Sequence, residues 1–230
     1  MPRRLIAAID TPHLARAQNL VREVAPHCGM VKLGLEFFLG HGPEGYRAVA
    51  QGRDVFLDLK LYDIPNTVAG AVRSLSSLGA KLLTIHASGG TKMIEAATRA
   101  AAEAGTKRVK ILAVTVLTSF DEDELAQTGI ADGAGQQAVR LARLALAAGA
   151  DGIVCSAHEI SRLRDAFGAK PLLVVPGIRP AGTAHGDQAR VMTPEQAVAA
   201  GADYIVVGRP ITGAPNPTQA AADIAASIGD

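Results

Sequence analysis

Eight short runs of apolar, β-prone residues recur along the chain at fairly even intervals. They are LIAAI (5–9), VKLGL (31–35), DVFLDLK (54–60), KLLTIHA (81–87), VKILAVTVL (109–117), DGIVCS (151–156), LLVVPG (172–177) and YIVVGR (204–209). Between them lie alanine-rich segments of helical periodicity, such as AVRSLSSLGA and GQQAVRLARLALAAGA. The runs predict buried strands and the segments predict helices packed against them. Three segments close on a Gly-Ala step (Gly79-Ala80, Gly149-Ala150, Gly201-Ala202), which suits a left-handed helix end leading straight into a strand. Thr193-Pro194-Glu195-Gln196 has the pattern of a capping box with proline at the first helical position. Strand–helix alternation repeated eight times predicts an α/β fold, a parallel (β/α)8 TIM barrel, with an open doubly wound sheet as the competitor. The 230 residues suit such a barrel, which runs to about 250. No linker or low-complexity stretch divides them, so one domain over 1–230 is expected.

The third run breaks the apolar rule. Val55, Leu57 and Leu59 alternate with Phe56, Asp58 and Lys60, and Asp63 follows in FLDLKLYDIPNT. Alternation sends the aliphatic set outward to the helices and Asp58 and Lys60 toward the barrel axis. The second run points Val31, Leu33 and Leu35 outward and Lys32 inward, and the first ends on an inward Asp10. Three neighbouring strands, about 4.8 Å apart, thus bring two acids and two bases to one mouth. That mouth is the C-terminal end, where barrels of this kind carry their active sites. A salt-bridge network tying the barrel together is the structural alternative. Desolvation costs several kcal/mol per buried ion, so apolar residues of similar volume would serve that purpose as well. Asp63 has its own alternative, as N-cap of a helix running through Val68 to Leu78.

A second constellation belongs to the opposite side. The seventh run enters PGIRPAGTAHGDQAR (176–190), and the eighth ends Val207-Gly208-Arg209. Loops after strands seven and eight often hold a phosphate in this fold. Glycine lets a backbone N–H approach closely, and an arginine fork matches phosphate oxygens. Arg179 and Gln188 would close over such a group from the long loop, a candidate lid. An ordinary solvated surface loop is the alternative. HASGG (86–90) is a weaker anion candidate, with His86 read as a polar cleft residue. The six histidines show no metal-ligand spacing.

Composition narrows the function classes. Hydrophobic residues make up 48% and aromatics 3%, which suits helices packed closely on a sheet. A net charge of +1 offers no long-range field for nucleic acid or a membrane, so an acidic substrate requires a local cationic pocket. Cys28 and Cys155 match no metal or redox spacing and are expected to stay thiols in a reducing cytoplasm. LIAAI is cut short by Asp10, too early for a signal or spanning segment.

DLKLYDIPNTV resembles the signature of the orotidine 5′-phosphate decarboxylase family. AIDTP, KLGLEFF, TIHASGG, AVTVLTS, VVPGIRP with DQAR, and YIVVGRPIT follow its pattern in the same order, closest to the shorter bacterial form. The resemblance implies a cofactor-free, metal-free cytoplasmic enzyme that converts orotidine 5′-monophosphate to UMP, as a homodimer with shared active sites. It implies Lys60 as proton donor, flanked by Asp58 and Lys32, with Asp10 and Lys32 on the ribose. It sends Asp63 and Thr67 into the partner's site, sets Thr118 against the pyrimidine, and puts Arg179, Gln188, Gly208 and Arg209 at the phosphate. Two alternatives stand beside it. Related sugar-phosphate decarboxylases use magnesium but carry an acidic residue where this chain has Lys32. A silent nucleotide-binding barrel would not need to keep Asp58, Lys60 and Asp63.

Overall fold

The eight apolar runs become eight parallel strands, each pairing with the next and the last with the first. The computed structural model describes residues 3–181 and 192–230. Among these, β1 (Leu5–Ile9), β2 (Met30–Gly34), β3 (Val55–Leu61), β4 (Leu82–His86), β5 (Lys110–Val114), β6 (Gly152–Val154), β7 (Leu172–Val175) and β8 (Tyr204–Val207) form a closed barrel in sequence order. Helices α1 (Leu14–Val24), α2 (Leu35–Ala50), α3 (Pro65–Ser76), α4 (Gly90–Ala102), α5 (Glu122–Gln127), α6 (Gly133–Ala147), α7 (Ile160–Phe167), α8 (Pro194–Ala199), α9 (Arg209–Thr212) and α10 (Pro217–Ser227) fill the connections.

The period-two pattern sorts the strands into two cores. Ile6, Ala8, Met30, Phe56, Leu82, Leu112, Val114, Val154, Val174 and Val206 pack together inside the barrel. Leu5, Ile9, Leu33, Leu57, Ile85, Ile111 and Leu173 face outward and join the helices in a larger cluster. Methionine and phenylalanine therefore plug the interior, and the space above them is left to polar side chains. The helix ends follow the sequence signals. Gly79, Gly149 and Gly201 take φ of +73, +91 and +111, values that side-chain-bearing residues avoid. The Thr193 hydroxyl accepts from Gln196 N–H at 3.3 Å and Gln196 Oε1 accepts from Thr193 N–H at 3.1 Å, completing the capping box.

Three local details differ from the sequence reading. Leu35 is not on β2: Gly34 is the N-cap of α2, and Leu35 opens that helix with its side chain exposed. β5 stops at Val114, three residues short of the predicted run, so Thr118 lies in the turn that follows. The N-cap of α3 is Ile64, not Asp63, whose carboxylate accepts the Ile64 N–H at 2.6 Å.

Candidate active site

Strand pairing sets the height of each charged group. Lys32 lies level with Ala8 on one side and Phe56 on the other, and Asp58 lies level with Gly34. The outcome is a row of alternating charges across β1, β2 and β3. Lys32 Nζ stands 3.1 Å from Asp10 Oδ1 and 3.5 Å from Asp58 Oδ2. Lys60 Nζ donates to Asp58 Oδ1 and Oδ2, both at 2.9 Å. Gly34 leaves room for the first pair, since a Cβ there would press to 3.3 Å from Lys32 Nζ.

The row is graded in burial. The Lys32 and Asp58 side chains keep 11% and 13% of their exposure, whereas Lys60 keeps 31% and is the ammonium more open to an incoming molecule. Burial pushes the Asp58 carboxyl up, but the Lys32 and Lys60 ammoniums, with hydrogen bonds from Lys60 and Thr84, outweigh it and hold the group below the usual carboxylate range. His86 is half-buried beside this row, with its ring 5.7 Å from that of Tyr62. Burial and then the Lys60 charge lower its pKa, with Asp58 opposing, so His86 is kept neutral near pH 7.

The four charged groups of the row line a cavity of about 520 Å³ at the C-terminal mouth. Its wall holds Asp10, Lys32, Asp58, Lys60, Thr118, Arg179, Gly208 and Arg209, so eight of the sequence candidates share one space. Phe56, Val114, Val154 and Val206 form an apolar lining. The cavity thus combines an acid–base row from β1, β2 and β3 with two arginines that follow β7 and β8. A Cβ on Gly208 would meet only Ala8 Cβ and Asp10 Oδ2, both at 3.6 Å, so packing within the chain does not demand glycine there. Its absence of side chain leaves the backbone open to a ligand.

Arg179 is buried, and its guanidinium donates to Ile178 O at 3.0 Å. It belongs to the fixed base of its loop: Ile178 bridges Met192, and Arg179 N–H donates to Met192 O at 3.0 Å. Gln188 and most of the candidate lid lie outside the described residues. Asp63 and Thr67 are exposed at the start of α3 and do not line the cavity. Among the described residues Asp63 makes no ion pair, so within one chain Asp58 holds Lys60 without it. One residue absent from the sequence candidates proves central. Thr84 is fully buried on β4, where its hydroxyl donates to Asp58 Oδ1 at 2.9 Å. Its signal was a polar residue at an inward position, between Leu82 and His86, on the strand beside Asp58.

The family model described as "Orotidine 5'-phosphate decarboxylase / HUMPS family" matches residues 3–224. The chain belongs to this family. Among curated relatives, orotidine 5′-phosphate decarboxylase of Anaeromyxobacter sp. (strain K) is 57% identical over 226 residues, covering 98% of both chains. That of Gluconobacter oxydans is 53% identical over 221 residues, covering 95% of this chain and 94% of its own. The crystal structure of the Lactobacillus acidophilus family member superposes with a TM-score of 0.87 at 36% identity, covering 99% of this chain and 100% of that one. Membership of the family therefore extends over the barrel and every part of the cavity described above.

Proposed function

We propose that this chain decarboxylates orotidine 5′-monophosphate to UMP without a cofactor or metal, with Lys60 stabilising and protonating the carbanion at C6. Family membership makes it a carboxy-lyase. The observation that carries the finer reading is the Asp10–Lys32–Asp58–Lys60 row, which ends on the more exposed ammonium.

Breaking the C6–carboxylate bond releases CO2 and leaves an electron pair in a ring orbital that no carbonyl readily delocalises. An ammonium fixed at that carbon offsets the growing charge and then gives it a proton, so one group serves both steps. The Lys60 amine then recovers its proton from water. Asp58 holds Lys60 by two hydrogen bonds and stands where the substrate carboxylate would arrive. Lys32 fills the gap between Asp10 and Asp58, the position where two carboxylates would otherwise suit a divalent cation, and with Asp10 contacts the ribose. Thr118 meets the pyrimidine.

One charge pair at 4 Å contributes about 4 kcal/mol at an effective dielectric of 20. Very slow reactions need barrier reductions on the order of 20 kcal/mol. The remainder comes from preorganisation and from phosphate binding by Arg209, Gly208, Arg179 and Gln188.

The working unit we propose is a cytoplasmic homodimer, each chain one barrel domain, with Asp63 and Thr67 completing the partner's site. Support comes from the exposed apolar residues flanking Asp63. Among the described residues, Leu35 and Leu39 on α2 and Tyr62 and Ile64 after β3 are the large hydrophobic side chains left exposed, Leu39 at 79%. They belong to adjacent barrel units, and large apolar side chains exposed on neighbouring units suit an association surface. Among the described residues no helix is long and apolar enough to cross a membrane.

The test is purified protein with orotidylate and EDTA, following the absorbance change as UMP forms. Turnover unaffected by EDTA is expected. Activity abolished by EDTA and restored by magnesium would overturn the metal-free mechanism, and UMP binding without turnover would overturn the activity itself.

A further inference from the structure

Near the top of β3 the barrel falls out of regular register. Leu57 pairs with Leu83 and Leu61 with Ile85, so that Asp58, Leu59 and Lys60 stand opposite the single residue Thr84. Within this bulge Lys60 takes φ +48, a left-handed conformation that costs a side-chain-bearing residue roughly 1–2 kcal/mol. Strained backbone of this kind persists only where its surroundings over-determine it.

Thr84 supplies the determination. Its side chain is wholly buried, and its one hydroxyl makes two bonds to β3. The oxygen accepts the Lys60 backbone N–H at 2.8 Å, and the hydroxyl proton goes to Asp58 Oδ1 at 2.9 Å. A hydroxyl has one proton and two lone pairs, so both bonds form together. The first gives the Lys60 N–H, which falls outside the paired register, a partner on β4. The second fixes the rotation of the carboxylate to which Lys60 Nζ is bound.

We infer that Thr84 is a positioning residue for the reaction: its hydroxyl clamps the β3 bulge to the Asp58 carboxylate and thereby sets where the Lys60 ammonium stands. The inference rests on the reading of Lys60 given above. Valine at this site keeps nearly the same volume but provides neither donor nor acceptor, so the Lys60 N–H and the Asp58 carboxylate each lose a partner. Serine retains the hydroxyl and loses only a methyl group.

Thr84→Val and Thr84→Ser, compared in kcat, KM for orotidylate and affinity for UMP, test this. Thr84→Val is expected to lower kcat by roughly tenfold or more, with KM and UMP affinity within about threefold of the parent. Thr84→Ser is expected to restore kcat to within about threefold. A Val variant that keeps kcat within about twofold, or a Ser variant that falls as far as Val, overturns the inference. If the Val variant does not fold, Thr84→Ala against Thr84→Ser makes the same comparison of hydroxyl against none. Lys60→Ala is measured alongside. Turnover surviving that change would sink the reading of Lys60, whereas a dead Lys60→Ala beside a silent Thr84→Val would sink only the role of Thr84.

Discussion

Lys60 Nζ donates to both carboxylate oxygens of Asp58 at 2.9 Å, from only two residues further along the same strand. The left-handed backbone at Lys60 is part of the same bend. A strand that stayed regular would keep its ladder with β4 and lose this bulge. The charge arrangement at the site is therefore written into the backbone as much as into the side chains.

That coupling separates catalysis from stability at position 60. Lys60→Ala is expected to fold and to lose turnover by at least about 10⁴-fold, since electrostatic stabilisation and proton delivery disappear together. Lys60→Gly is expected to be equally inactive yet more stable than Lys60→Ala, by roughly 0.5–1 kcal/mol, because left-handed strain outweighs the extra freedom of unfolded glycine. Denaturant unfolding of the two variants reads the difference. An alanine variant more stable than the glycine one would show the backbone at this position to be relaxed.

Acid stability tests Asp58. Its folded pKa lies below the unfolded value of about 3.9, so its contribution is fully present above that pH and is lost as pH falls through the folded pKa. His86 acts in a different window. Its folded pKa is lowered from 6.5, so the unfolded chain binds the proton more readily and stability declines as pH drops below that value. Melting curves from pH 7.5 to 3 are expected to show both declines. His86→Gln should flatten the first, and Asp58→Asn should remove part of the second at a cost in stability throughout.

Arg209 lines the same cavity from the first position of α9, just after β8, the strand that pairs with β1. Arg209→Ala is expected to reduce kcat/KM by about 10²-fold, the loss of charge-assisted hydrogen bonds to phosphate, and phosphate-free orotidine should be far less sensitive to the change. Equal sensitivity of the two substrates would place the phosphate elsewhere.

Sharing of sites between subunits predicts complementation. Lys60→Ala and Asp63→Ala are each expected to be inactive alone. Unfolded and refolded together, they should recover about a quarter of parental activity, because half the dimers are mixed and each mixed dimer has one intact site. A mixture as inactive as its components would mean that Asp63 serves its own chain or no site at all.

Much of this was legible in the sequence because a period of two has an unambiguous inside. Asp58, Lys60 and Lys32 occupy inward positions between aliphatic neighbours, and the structure brings them together. The departures share a cause. The bulge depends on the register between β3 and β4, which no local pattern reports, and it puts a lysine in a conformation that propensity disfavours. Leu35 kept the alternation of β2, but Gly34 is already the cap of α2. Thr84 looked like an ordinary β-branched strand residue, and its importance lies wholly in what stands opposite.

Ile178 and Met192 meet in a single bridge, which ties the chain leaving β7 to the chain entering α8. Such a clasp insulates the scaffold from whatever is threaded between its ends, since doubling a flexible loop costs only about 0.6 kcal/mol of closure entropy. Variants with a lengthened connection between Ile178 and Met192 are therefore expected to keep the melting temperature of the parent to within a few degrees, with the eight-stranded chassis and its row of charges intact.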